Sequence, residues 1–480
     1  MYKDGIPALG GYGFETPKAV SGTSSVGKLT LAQILALDGQ PVPPVLQPSG
    51  DPVAMEAIVP FERYTDAKYV DLEVEHLWKK QWQIACREED IPNVGDRLTY
   101  DIVDSSYIIV RSAADEIKAY HNFCPHRGRR LCDHAENLEN FRCPFHAWSW
   151  NLDGSLEWVP GREDFPSVSE SHHRLSEVKV GRWGGNVFIN PDPESAPLEK
   201  ALGPLPALFA DHPMEERHTV AHFRKTVRCN WKLTQEAFME GYHVLETHWD
   251  GMPFFGSAYT QYDNWEDGDS HINRLVTPSV VPDLWVKDAI SPEESARQFC
   301  QTMGLPLPEA GSISTFTEGR AWCAMQRRLA LEATSGHDLS DKPNSYFLDM
   351  TKCFMFPNHH PWWGEALAWW YRFLPVGRDP GLSMMEVRVT ARTPKGQTAP
   401  PPPPMLELGP DDRTDECEAL GVVGHILHQD MSNLVEIQKG MKAAPPAKAF
   451  LTLARYQESN IQHFHNVYRK LLNLPDAPSG

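Results

Sequence analysis

The sequence predicts an α+β protein of two domains, a small all-β unit over residues 60–195 and a larger mixed unit over residues 196–480, behind an arm at 1–59. Three observations carry this. A chain of 480 residues is too long for one ordinary domain and long enough for two that each bury a core. Short β-type runs separated by turn residues, at 107–110, 117–120 and 187–189, dominate the first part. Helical patterning enters only later, at 231–245, 418–442 and 447–472, with strand-like stretches at 366–374 and 384–390.

The arm is rich in Gly, Pro and Ser and reads as extended chain with one short helix at 28–36. Gly10, Gly11 and Gly13 lie in it without a preceding strand. They form no dinucleotide-binding fingerprint, and electrons must come from another protein. The prolines at 400–404 can continue neither helix nor central strand and form an extended connector. Acidic residues outnumber basic ones 64 to 45, and the net charge of -19 argues against nucleic acid and anionic membrane surfaces. The first apolar patch, 29–37, is broken by Thr30 and Gln33, so neither a signal segment nor a membrane span is read and a soluble cytoplasmic protein is expected. The nine Cys contain one tight grouping and no even-numbered framework, which suits reduced thiols and metal ligation.

That grouping reads Cys124-Pro125-His126, sixteen residues, then Cys143-Pro144-Phe145-His146. Two thiolates and two imidazoles suit either a tetrahedral zinc or a [2Fe–2S] cluster with both Cys on one iron and both His on the other. Each pair mixes Cys with His, which favours the cluster, because zinc sites of this composition usually keep like with like. With Arg127-Gly128 after the first pair and Trp148 after the last ligand, the segment resembles the Rieske motif. Two imidazoles in place of thiolates raise the cluster potential and suit single-electron transfer. Cys132 and His134 break the spacing and read as loop residues.

A second constellation starts at His243 and His248. Residues five apart on an ideal helix point about 140° away from each other, so both reach one metal only if the helix widens or ends between them. Glu240, three residues before His243, is placed to hold its imidazole as an outer partner. A mononuclear iron with open positions needs a carboxylate beside two His, and Asp430, in His428-Gln429-Asp430-Met431, is the candidate. The pairs His359/His360 and His425/His428 read as structural. Phe238, Val244, Met252, Phe254, Phe255 and the tryptophans at 362, 363, 369 and 370 either line an apolar substrate site or pack a core.

Asn230-Trp231-Lys232 ahead of Glu240-Gly241-Tyr242-His243, with His248 and the late Asp430, is similar to the catalytic domain of the large subunits of Rieske non-haem iron oxygenases, the ring-hydroxylating family. The resemblance extends over roughly residues 60–470. It implies a helix-grip, START-like catalytic domain with an antiparallel sheet. It implies a [2Fe–2S] cluster on Cys124, His126, Cys143 and His146 with Trp148 beside them, and a mononuclear Fe(II) on His243, His248 and Asp430. Glu240 becomes the acidic link between the two centres, with Tyr242 beside it in the catalytic set. Many members carry Asp at the linking position, and this chain has the longer Glu. The implied activity is mono- or dioxygenation, or O-demethylation, of an aromatic or bulky apolar substrate with O₂. The implied partners are a reductase, directly or through a ferredoxin, in a homotrimer or in an α3β3 assembly with a small β subunit. A Rieske electron-transfer protein without oxygenase activity is the alternative.

Overall fold

The computed structural model describes residues 30–47, 57–248, 252–281, 283 and 290–475. Most of the expected N-terminal arm lies outside these. Its helix spans Leu31–Leu37, capped by Thr30 through a hydrogen bond from the Gln33 backbone N–H.

The first domain is built on a seven-stranded antiparallel sheet. Its strands lie side by side as Gln83–Arg87, Asn186–Asn190, Glu177–Trp183, Glu116–His121, Ser105–Ala113, Asp96–Ile102 and Glu136–Asn137. The three β-runs expected here fall inside these strands. Alternation along Ser105–Ala113 explains the layering: Tyr107 and Ile109 face the main core, whereas Ile108 and Val110 face a separate core with Tyr120, Phe141 and Trp150. A three-stranded ladder, Asn140–Arg142, Ser149–Asn151 and Leu156–Trp158, closes this second core around Cys124 and Cys143.

The second domain holds an eight-stranded sheet in the order Gln261–Asp267, Ser270–Thr277, Met350–Met355, His359–Trp363, Trp369–Pro375, Ser383–Arg392, Arg217–Val227 and Leu406–Leu408. All pairs are antiparallel except the last. Helix Ser459–Leu471 packs on its first two strands, and helix Gly421–Ala443 packs on the short helices Trp231–Glu236 and Val244–Thr247. The α+β class and the small-then-large order are as expected.

Two helices differ from expectation. The segment 447–472 is α-helical only over Ser459–Leu471; Phe450–Thr452 is instead a strand paired with Ile58–Pro60. A distant partner overrides local propensity there, behind Pro445 and Pro446. The expected helix at 231–245 breaks after Glu236 and resumes for one turn at Val244–Thr247.

The two sheets are joined by buried arginines. Arg372 donates to the backbone carbonyls of Ile84 and Ala85, at 2.9 and 2.6 Å, and Arg388 forms a double hydrogen bond with Asp90 at 2.9 and 2.7 Å. Residues before the first sheet also enter the second domain: Tyr64 donates to Glu236, and Glu73 accepts from Trp231 Nε1 at 2.9 Å and the Tyr468 hydroxyl at 2.7 Å.

Within the second domain Arg217 and Glu365 pair through two buried hydrogen bonds of 2.7 and 3.1 Å. Burial by itself raises the Glu365 carboxyl, but Arg217 above all, with His212 and Arg392 adding, outweighs it and holds it at about 2. Its stabilising effect is therefore full above the ordinary value of 4.5 and lost as pH falls from there toward 2. Glu365→Ala leaves Arg217 buried without its partner and is expected to cost ~3–5 kcal/mol, read as a lower urea midpoint at pH 7. A midpoint equal to wild type removes this pair from the stabilising contacts.

Candidate active site: two donor sets and a cavity

Cys124 and Cys143 each begin a loop of the same construction. The Cys carbonyl accepts from the backbone N–H four residues on (Gly128 and Ala147, 2.8 and 2.9 Å), and the Cys N–H donates to the carbonyl five residues on (Arg129 and Trp148, both 2.8 Å). Each loop turns through a left-handed residue, Gly128 at φ 78° and Ala147 at φ 62°. Two Cys–His pairs separated by sixteen residues are thereby placed face to face. Both thiols are buried, and burial above all, with the Cys143 thiol adding, pushes the Cys124 thiol up. The His126 and His146 rings lie 4.8 Å apart, and Trp148 stacks on His126 at 4.8 Å within 2° of parallel. His126 Nδ1 is buried without a hydrogen-bond partner among the described residues, the state of a nitrogen reserved for a metal. A single zinc requires all four donors to converge. Among the described residues, however, His243, His248 and Asp430 form the group of three or more such donors within 4.8 Å of one another. The two thiols lie against each other and the two imidazoles lie side by side, which fits a cluster with both Cys on one iron and both His on the other. Cys132 donates to the His134 carbonyl, outside the set, as expected.

The His243 pair flanks a single helical turn. His243 stands at its N-terminal end and His248 at its C-terminal end, so the helix ends between them and their rings turn together, 5.2 Å apart at 75°. Three features stop the earlier helix from running through. Glu240 folds back to accept the backbone N–H groups of Tyr242 and His243, capping the turn. The Gly241 N–H donates to the Tyr262 hydroxyl at 3.0 Å. A Cβ at Gly241 would stand 2.8 Å from the Thr260 hydroxyl, so only glycine fits.

Asp430 arrives from helix Gly421–Ala443, its Oδ1 3.0 Å from His248 Nε2 and 3.5 Å from His243 Nε2. The outer nitrogens are both occupied: Glu240 Oε1 lies 2.6 Å from His243 Nδ1, and Gln429 Oε1 lies 2.9 Å from His248 Nδ1. Each imidazole is thus held by its Nδ1 and turns Nε2 toward the carboxylate, the tautomer a metal ligand needs. Burial lowers the basicity of His243, and Glu240 followed by Asp430 more than reverses this. Asn433 Nδ2 donates to the Thr247 hydroxyl at 3.1 Å and Gln438 Oε1 accepts the Asn230 N–H at 3.0 Å, which pins the long helix to the His segment.

A cavity of about 140 Å³ opens beside this trio. Phe238, Val244, Met252, Phe254 and Phe255 all line it. Alternation divides the tryptophans: Trp362 and Trp369 face the cavity, whereas Trp363 and Trp370 turn away to Asp211 and Asn186. Tyr242 is not brought to the cavity; it is 51% exposed on the outer side of the turn. His359 and His360 are buried among rings away from the donors. Reading residue types alone passed over two polar side chains, Gln429 on His248 and Lys352 in the cavity wall. Lys352 did carry a signal, a lone charge in the apolar strand Met350–Met355.

A β-domain with paired Cys/His donors, joined to a helix-and-sheet domain with a two-His, one-carboxylate trio, defines a protein of two metal centres. Residues 81–169 match the Rieske [2Fe-2S] domain, and residues 212–474 match the ring hydroxylating alpha subunit (catalytic domain). The chain belongs to the ring-hydroxylating alpha subunits, and its cofactors are a [2Fe–2S] cluster and a mononuclear iron. Over 217 residues it is 29% identical to the carnitine monooxygenase oxygenase subunit of Escherichia coli (strain K12), covering 43% of this chain and 57% of that one. Over 201 residues it is 34% identical to the anthranilate 1,2-dioxygenase large subunit of Acinetobacter baylyi, covering 39% and 42%. The match thus spans about half the length of these relatives. The fold is shared with a quaternary ammonium Rieske monooxygenase at TM-score 0.60 and 16% identity, over 87% of this chain and 96% of that one. Among the described residues no helix is long and apolar enough to cross a membrane.

Proposed function

We propose that this chain is the oxygenase component of a Rieske-type mono- or dioxygenase, with the cluster on Cys124, His126, Cys143 and His146 and the mononuclear iron on His243, His248 and Asp430. The observation that carries this reading is the trio. Both Nε2 atoms turn to one carboxylate, both Nδ1 atoms are taken, and the open side gives onto a largely apolar cavity. Bound there, the two centres supply single electrons and reductive O₂ activation. The chain's own residues do the rest. Glu240 and Gln429 fix the imidazoles, and Phe238, Val244 and Phe254 exclude bulk water and confine the substrate. An electron-transfer protein without oxygenase activity has no use for a complete trio beside a substrate-sized cavity.

The assembly we favour is a homotrimer in which Glu240 links the His243 centre to the His146 centre of the next subunit. Two exposed rings support this. Phe145, 56% exposed, sits against His146 at 3.8 Å, and Tyr242 adjoins His243 in the chain, so each centre comes to the surface beside an aromatic side chain. Electrons come from a reductase, directly or through a ferredoxin. The substrate class we propose is not limited to arenes, because relatives of this chain are named for carnitine and for anthranilate.

Metal and turnover analysis tests the proposal. We expect three irons and two acid-labile sulfides per chain, from one cluster plus one iron, and product only when a reductase is supplied with O₂ and NADH. Full activity with two irons, or NADH oxidation by the chain alone, contradicts it.

A further inference from the structure

Lys352 stands in the middle of the catalytic sheet, on strand Met350–Met355 and directly across from Trp362. It is 4% exposed and lines the cavity, its Nζ 5.3 Å from the Phe238 ring centroid and 5.4 Å from that of Trp362. Burying an ammonium is unfavourable unless a partner answers it. Other buried cations of this fold have one: Lys232 meets Glu73, and Arg320 meets Asp38 and Asp349. Among the described residues Lys352 makes no ion pair or hydrogen bond; two ring faces flank it, and the Glu240 and Asp430 carboxylates act on it only from beyond ion-pair reach. Burial pulls its ammonium down to about 7, with Glu240 and Asp430 opposing. Those two carboxylates are engaged elsewhere, Glu240 on His243 and Asp430 facing both imidazoles. A lysine on an aromatic cavity wall with no carboxylate in hydrogen-bond reach is the arrangement of a subsite whose direct partner arrives with the ligand.

We propose that Lys352 anchors a carboxylate of the substrate, so that this oxygenase acts on a small organic acid whose remaining carbon skeleton lies along Phe238, Trp362, Trp369 and Tyr371 beside the trio. The proposal rests on the oxygenase reading for the reaction but not for the binding. Charge-assisted hydrogen bonding in a dry pocket discriminates an anion from a neutral head group of the same shape. A trimethylammonium tail is compatible with the aromatic wall, since Trp362, Trp369 and Tyr371 stand 5.6 to 5.8 Å from one another and offer ring faces to a cation.

The test is calorimetric titration of the holoprotein with two matched pairs, benzoate against benzamide and γ-butyrobetaine against its amide. In the wild type the carboxylate of at least one pair is expected to bind ~10-fold or more tightly than its amide. Lys352→Met abolishes that preference and Lys352→Arg retains part of it, with iron content and the visible cluster spectrum unchanged. Equal or tighter binding of both amides to the wild type, no measurable binding of either carboxylate, or an undiminished preference in Lys352→Met overturns the subsite. The wild-type comparison decides the matter even if Lys352→Met does not fold. A carboxylate preference without O₂-dependent product from any bound acid upholds the subsite and removes the oxygenase reading, so the two failures are distinct.

Discussion

A His248→Ala protein is expected to keep the visible spectrum of the cluster while losing its mononuclear iron and product formation. His248 is buried, with Nδ1 on Gln429 and Nε2 3.0 Å from Asp430 Oδ1, so it supplies one of three donors and no other described imidazole stands ready to replace it. The loss should exceed the ~10–100-fold that removing an outer hydrogen-bond partner of a ligand costs. Asp430→Ala should behave alike, because Asp430 is the only carboxylate within 4.8 Å of both imidazoles among the described residues. His126→Ala should do the reverse and bleach the spectrum. Iron analysis, the visible spectrum and product yield under single-turnover conditions separate these cases. Sustained turnover by His248→Ala would remove the trio from the mechanism.

Glu240→Gln is the second large effect, expected to lower steady-state turnover ~10–100-fold while both metals stay bound. The Glu240 carboxylate accepts from the Tyr242 and His243 backbone N–H groups and holds His243 Nδ1 at 2.6 Å. An amide has one acceptor oxygen where the carboxylate uses two, and its NH₂ opposes an N–H donor. Either the cap or the imidazole then loses its partner. Glu240→Asp should be milder, since both oxygens survive on a shorter stem. Comparing single-turnover yield with steady-state rate identifies which role dominates. If Glu240 links centres across subunits, the pre-reduced variant yields near-normal product once and then slows. If it only orients His243, both readouts fall together. Turnover of Glu240→Gln equal to wild type contradicts both roles.

The parts of the site visible in the residue string are those held by short-range geometry. Cys124 and His126 share one loop, Cys143 and His146 another, and each loop closes by hydrogen bonds to residues four and five positions on. The spacing within each pair therefore carries the geometry almost whole. Glu240 reaches His243 as its three-residue separation implies, but over a capped turn and not a continuous helix face. The end of the helix between His243 and His248, required if one metal is to see both, is likewise local.

Other features depend on partners far away in the chain. Phe450–Thr452 is a strand because Ile58–Pro60 lies beside it, and no window around residue 450 contains that information. Tyr242 shares a motif with His243 yet faces outward, because Glu240 and the Tyr262 hydroxyl turn the backbone at Gly241. Gln429 differs from its neighbour Asp430 in role only because the long helix presents it to His248 Nδ1. Whether a tryptophan lines the cavity or turns to the opposite face of the sheet was settled by strand register, which sends Trp362 and Trp369 one way and Trp363 and Trp370 the other. The order of residue types alone thus pointed to the fold class, the two cofactors and the class of chemistry, since metal ligation depends on which groups share a short loop or turn. The register of the eight-stranded sheet and the docking of helix Gly421–Ala443 decided what faces the cavity, and with it the isolated charge of Lys352, because burial is a property of distant surfaces brought into contact.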